Sequence, residues 1–190
     1  MQHSAANEQM IQILLRFPGF TAHFDQLARQ WRCQCLIHAD VKWDNCMAVQ
    51  EDGRWQIKMV DWELANWGDP AWDAGCIFAA FLANWIQALP AAATHAPGQF
   101  DAFSEKCVRE MQPSIHAFWD GYCSALPLSQ EEQQPYLLRC LRYGAARLTQ
   151  TAYEYLQFSA AVDAHTYLLL QASLNILTRP EEGAEELLGL

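Results

Sequence analysis

A chain of 190 residues, 52% of them hydrophobic, is long enough to bury one core of ordinary size. Twelve basic against 22 acidic residues leave a net charge of −10, which argues against nucleic acid as a partner. No apolar run of roughly 18 residues exists and the start of the chain is polar without a basic region, so no membrane span or signal peptide is expected. Seven cysteines, an odd number without framework spacing, point to reduced thiols and a cytoplasmic protein. Cys33, Cys35 and Cys46 have no second close pair with His, so small buried hydrophobes are favoured over a zinc site. The acidic excess lies wholly in residues 61–190. It reads first as a solvated surface and second as attraction for a cationic small molecule.

Residues 5–16 form an amphipathic helical pattern with Ile11, Leu14 and Leu15 on one face, stopped by Pro18-Gly19. Thr21 is placed to cap a second helix running to about Cys33, with Phe24, Leu27, Ala28 and Trp31 at i, i+3, i+4 and i+7. Leu36-Ile37 then enters a polar cluster, His38-Ala39-Asp40-Val41-Lys42-Trp43-Asp44-Asn45. After it, Cys46–Val49, a turn at Glu51-Asp52-Gly53-Arg54 and Trp55–Val60 read as a β-hairpin. A hairpin brings its ends together, so Asn45 and Asp61 are expected side by side. Such an oxygen pair suits a hard cation, since Mg²⁺ takes one or two protein ligands plus phosphate oxygens. Asp40, on the preceding loop, is then placed to orient a nucleophile.

Asp69-Pro70 fits the start of a helix from about Ala71 to Leu89, and a plain cap and a site role for Asp69 weigh equally. Its face of Trp72, Cys76, Ala79, Ala80 and Ala83 is expected to lie buried under the polar loop. Residues 90–99 read as a small-residue loop suited to mobility or proteolysis. The helical pattern of Phe100, Phe103, Cys107 and Met111 meets Pro113, which is expected to kink or restart it before Ile115, Phe118, Trp119 and Tyr122. A long stripe runs from Leu137 to Tyr155, and a last one from Leu168 to Leu177 ends at Arg179-Pro180. The tail with Glu181, Glu182, Glu185 and Glu186 is expected to fray. His95, His116 and His165 read as surface or capping residues. The five tryptophans from Trp43 to Trp72 could cage a quaternary ammonium, with core packing and loop support the favoured alternative.

The order His38-x-Asp40-x-x-x-x-Asn45, a hairpin, then Asp61 resembles the catalytic loop and metal-binding Asp of kinases. Asp61-Trp62-Glu63 with Gly68-Asp69-Pro70-x-x-Asp73 is similar to the aminoglycoside phosphotransferase and choline kinase family, over about forty contiguous residues. The resemblance implies a mainly α (α+β) fold: the protein-kinase-like C-terminal lobe, a helical bundle with a small catalytic-loop β-hairpin. Only 37 residues precede His38, with no Gly-x-Gly-x-x-Gly and no lysine before Lys42, so the N-terminal nucleotide lobe is expected to be absent. The expected division is one domain over 1–190, with leading helices at 1–34, the catalytic and metal-binding core at 35–73, a helical subdomain at 74–180 and an acidic tail at 181–190.

Carried over, the resemblance makes Asp40 and Lys42 catalytic, Lys42 also steadying the ATP phosphates, and Asn45 and Asp61 the ligands of Mg²⁺ and nucleotide. His38, Asp73 and Glu63 become structural supports, Asp73 by accepting backbone N–H groups of the loop. Ala39 stands where the small-molecule family has Gly and protein kinases have Arg; Lys42 stands where small-molecule members often have His and protein kinases have Lys. The implied reaction is transfer of the ATP γ-phosphate to a hydroxyl of a small molecule such as an aminoglycoside, choline or sugar. Phosphorylation of a peptide Ser or Thr in ribosomal-peptide biosynthesis, a non-catalytic kinase-like binding module and a metal-dependent phosphohydrolase are the alternatives. A partner chain or longer parent supplying the nucleotide lobe is the implied partner, through a surface that includes Leu36 and Trp43.

Overall fold

The computed structural model describes residues 4–89 and 99–190, so most of the small-residue loop expected at 90–99 lies outside the described residues. Helix α1 covers Ala5–Arg16, capped by the Ser4 side chain, which accepts from the Asn7 N–H at 3.0 Å. The same hydroxyl donates to the Leu156 carbonyl at 2.6 Å and ties the start of α1 to the end of the long stripe. Helix α2 covers Pro18–Gln30 and begins before the expected cap, Thr21. Pro18 occupies the first helical position, where its missing N–H would have no partner in any case. Thr21 instead donates back to the Pro18 carbonyl at 3.0 Å.

Two small antiparallel sheets follow. Strand β1 (Cys35–Ile37) pairs with β4 (Asn66–Gly68), with Leu36 opposite Trp67. Strands β2 (Cys46–Glu51) and β3 (Arg54–Met59) form the hairpin, in register from Cys46 opposite Met59 to Glu51 opposite Arg54. The turn residues Asp52 and Gly53 both have positive φ, 50° and 75°, the twist that a two-residue hairpin turn requires.

Four long helices make the rest: α3 (Pro70–Ala88), α4 (Gln99–Ser124), α5 (Gln130–Tyr155) and α6 (Ala164–Thr178). The core lies between them, with Phe78, Leu82 and Ile86 of α3 against Leu137, Leu141 and Leu148 of α5, and with Ile115 and Leu169 from their neighbours. Pro113 does not end a helix; α4 runs through it, its apolar face continuing from Met111 to the buried Ile115 and Trp119. The tail also differs from expectation. Pro180–Glu182 and Gly183–Leu188 are helical, and Gly183, Ala184 and Leu188 are buried, because apolar residues alternate with the glutamates and pack back on the bundle.

Helices α3 and α5 touch backbone to backbone. A Cβ on Gly75 would stand 2.4 Å from the Cys140 carbonyl oxygen, and one on Gly144 would stand 2.7 Å from the Gly75 carbonyl oxygen. This crossing positions the site. Asp73 lies two residues before one glycine, and Arg147 lies three residues, about one turn, after the other.

Candidate active site

The loop joining β1 to β2 is held from below by one carboxylate. Asp73, in the first turn of α3, accepts the His38 N–H at 2.7 Å on one oxygen and the Ala39 N–H at 2.9 Å on the other. Ala39 sits at φ 68°, a left-handed conformation that an L-residue with a Cβ adopts at a cost. The Trp72 indole N–H donates to the Ala39 carbonyl at 3.1 Å, so this peptide is clamped at both ends. His38 is buried with its ring 4.7 Å, centroid to centroid, from that of Trp62. Its Nδ1 accepts the Asp40 N–H at 3.3 Å, which leaves Nε2 to donate to the Val60 carbonyl at 2.8 Å.

Val60 links the two clusters, because its N–H donates to the Asn45 carbonyl at 3.0 Å. Asn45 and the residue just before Asp61 are thus paired at the open end of the hairpin. Asn45 is buried, and its Nδ2 donates to the Asp40 carbonyl at 2.8 Å and to the Asp40 carboxylate at 3.2 Å. That use of the amide nitrogen leaves Oδ1 for another partner. Asp61 is exposed and, like Ala39, left-handed, at φ 64°. Glu63 is exposed and makes no hydrogen bond or ion pair among the described residues.

Asp40 is the most heavily engaged group of the loop. Lys42 Nζ lies 2.6 Å from Oδ2, and Arg147 Nη2 approaches Oδ1 at 3.4 Å. Arg147 Nη1 in turn donates to Glu154 at 2.8 Å. The hydrogen bond to Asp40 holds the Lys42 ammonium above the usual lysine range, outweighing its partial burial and repulsion by Arg147. Burial works against the charge of Arg147, but the bond and attraction to Glu154, with the charge of Asp40, hold its pKa above the ordinary arginine value. Beneath the loop, burial pushes the Cys76 thiol up, so a neutral group underlies Val41.

Beside this cluster opens a hollow of about 400 Å³, lined by Lys42, Trp43, Asp44, Arg147, Glu154 and Tyr155 among others. A larger cleft of about 650 Å³ lies between α1, α2 and α5, walled by Phe24, Trp31, Trp72 and Tyr143. It has no charged lining residue and so offers nothing for moving a phosphoryl group. The tryptophans do not form one cage. Trp72 packs on Trp31 and Tyr143, Trp62 on His38, and Trp43 edge-on to Phe81.

The structure therefore gathers His38, Asp40, Lys42, Asn45 and Asp73 into one hydrogen-bonded unit with Asp61 at its rim, and leaves Glu63 outside. Sequence reasoning passed over Arg147 and Glu154. The available signal was an arginine one turn beyond Gly144 on the side of α5 that the apolar stripe buries; its partner 107 residues earlier gave no signal. Among the described residues no group of three or more His, Cys, Asp or Glu is placed to hold a metal. The donor set at the hairpin end, an amide oxygen and a free carboxylate, still fits a hard cation that completes its shell with phosphate and water.

Asp40 and Asn45 on the loop, with Asp61 past the hairpin that follows it, thus stand together at the open end of the hairpin. The profile of the phosphotransferase enzyme family (APH) matches residues 2–105, more than half of the chain, and the chain belongs to that family. No curated protein matches the chain closely enough to count as a relative.

Proposed function

We propose that these residues form the catalytic, C-terminal lobe of an ATP-dependent phosphotransferase acting on a hydroxyl of a small molecule. The observation that carries this reading is the Asp40 carboxylate, fixed by Lys42 and Asn45, with Val41, Lys42 and Arg147 beside it lining a hollow sized for a small acceptor. Phosphoryl transfer asks a protein mainly to position reactants and to neutralise charge. Asp40 accepts the hydrogen bond of the incoming hydroxyl and aims its oxygen. Lys42, tethered to Asp40 but still partly exposed, supplies a positive charge for the transferred group. Asn45 Oδ1 and the Asp61 carboxylate are the groups that would hold Mg²⁺ on the ATP phosphates. Bound there, the ion offsets phosphate charge. A nucleotide-clamping lobe from a longer parent or another chain completes the ATP site, and the exposed Leu36, Trp43, Met47 and Trp55 offer apolar surface for it.

Of the charged residues lining the hollow, Glu154 is paired with Arg147 and Lys42 with Asp40, so the exposed Asp44 is what favours an acceptor bearing a cationic group, such as an aminoglycoside or choline, over a neutral sugar. Lys42 on Asp40 is the feature that speaks for the second reading, a peptide Ser or Thr.

Two variants test the assignment. Asp40→Asn should lower turnover by about a hundredfold or more while leaving nucleotide affinity nearly intact. Asp61→Ala should instead remove the Mg²⁺-dependent part of nucleotide binding in titration calorimetry. Normal turnover in the first variant, or unchanged binding in the second, would overturn the role given to that residue.

A further inference from the structure

Arg147 takes no part in the loop-and-hairpin signature and lies beyond residues 2–105, which the family profile matches. Its side chain is 4% exposed. An arginine taken this far out of water costs several kcal/mol unless its charge is met, and here two carboxylates meet it. Glu154 takes one arm of the guanidinium at 2.8 Å and the Asp40 Oδ1 faces the other at 3.4 Å. Glu154 is itself steadied by the Gln150 amide, which donates to the same oxygen at 3.0 Å.

We propose that Arg147 is a positioning residue for phosphoryl transfer. It fixes the rotation of the Asp40 carboxylate, and Glu154 fixes Arg147. The proposal rests on the role of Asp40 argued above.

Geometry separates Arg147 from the other cation on Asp40. Lys42 reaches Oδ2 from a flexible stem, with 37% of its side chain exposed, so it can leave Asp40 for a phosphate. Asn45 also addresses Oδ2. Oδ1 has Arg147, whose planar fork is held at its far side and carried by the close α3–α5 crossing. That crossing also carries Asp73, so one α3–α5 contact sets both the loop backbone, through Asp73, and the Asp40 side chain, through Arg147. When Lys42 turns to the transferred group, Arg147 keeps Oδ1 engaged and Oδ2 aimed at the hydroxyl.

The test is steady-state kinetics of the protein together with the lobe that completes its ATP site, following ADP release from Mg·ATP with choline, ribose and an aminoglycoside as acceptors. Arg147→Met, close in volume and uncharged, should lower kcat by about a hundredfold while KM for ATP stays within about twofold. Arg147→Lys should recover part of the loss. The decisive measurement is the double variant with Asp40→Asn, which should be no slower than Asp40→Asn alone, because a residue acting through another has no further effect once that group is gone. Multiplying losses in the double variant, or kcat within about twofold of the unaltered protein in Arg147→Met, would overturn the proposal. If Arg147→Met does not fold by circular dichroism, Glu154→Gln takes its place. It should lower kcat by about tenfold, and an unchanged kcat overturns the proposal equally. Turnover that survives Arg147→Met but not Asp40→Asn removes this inference alone. No turnover in the unaltered protein removes the activity reading and this inference with it.

Discussion

Of the three arginines on helix α5, Arg139 and Arg147 stand eight residues or about 12 Å apart, and each meets an aspartate from the first half of the chain. The two pairs are finished very differently. Asp69 is fully buried and every oxygen is occupied: Oδ1 accepts the Ala71 N–H at 3.1 Å, and Oδ2 accepts the Arg32 N–H at 3.0 Å, the Tyr143 hydroxyl at 3.2 Å and Arg139. It caps α3, anchors the segment after α2 and ties both to α5, so the equal weighting of cap and site role resolves into a larger structural role. Asp40 has looser company, with a partly exposed lysine, an amide and a long contact to Arg147. A carboxylate whose lone pairs are all taken can only hold a structure together. One that keeps spare acceptor capacity can take a new proton donor.

The largest effect expected from that contrast is on stability at the saturated end. Asp69→Ala strands the Arg139 charge and the Tyr143 hydroxyl in a buried place, and should cost about 3–5 kcal/mol in urea unfolding. Asp40→Asn, by contrast, should shift the urea midpoint little, since Glu154 still meets Arg147, and its loss should appear in turnover. If both substitutions unfolded the chain to a similar degree, the division into a structural and a chemical aspartate would fail.

The crossing between the two pairs provides the next test. Gly144→Ala drives a methyl group against the Gly75 backbone, which cannot move aside as a flexible side chain would. Overpacking of that kind costs about 1–3 kcal/mol. Because the same contact sets Asp73 and Arg147, the variant should also lose turnover beyond what its unfolded fraction explains. Full activity of the folded fraction at a temperature well below its midpoint would show that the helix spacing is not what aims Asp40.

Much of this was legible from local pattern. The hairpin, its Asp-Gly turn and the helices from 5–16 and from Ala71 follow from residues that are neighbours in sequence, where turn chemistry and periodicity act directly. The loop cluster was legible because Asp40 and Asn45 are five residues apart and a hairpin returns the chain to Asp61. What stayed hidden depends on distant partners or on burial offsetting a local preference. Arg147 is 107 residues from Asp40, and nothing in the stripe around it says which carboxylate it meets. Pro113 breaks the local hydrogen-bond ladder, yet the apolar face on both sides of it keeps α4 in one piece. The acidic tail looks soluble residue by residue, and only the packing of Ala184 and Leu188 explains its order. Thr21 was a plausible cap that lost to a proline three residues earlier, a competition that sequence reasoning can weigh but not decide.

The smallest effect concerns the peptide that Asp73 and Trp72 clamp. Ala39 at φ 68° carries about 1–2 kcal/mol of steric cost that glycine would not. Glycine in turn gives up about 0.5–1 kcal/mol through the greater freedom of the unfolded chain. Ala39→Gly should therefore stabilise the protein by a net of roughly 0.5–1 kcal/mol, read as a higher urea midpoint at unchanged slope. Its effect on turnover separates two accounts of the loop. If Asp73, Trp72 and the His38 ring hold the backbone, the glycine variant keeps its activity, because their hydrogen bonds at 2.7–3.3 Å are all to atoms that the substitution leaves in place. If the alanine methyl itself stiffens the loop and so helps aim Asp40, the variant gains stability and loses turnover together. The density of those clamps favours the first outcome, and a loss of turnover greater than about threefold would decide for the second.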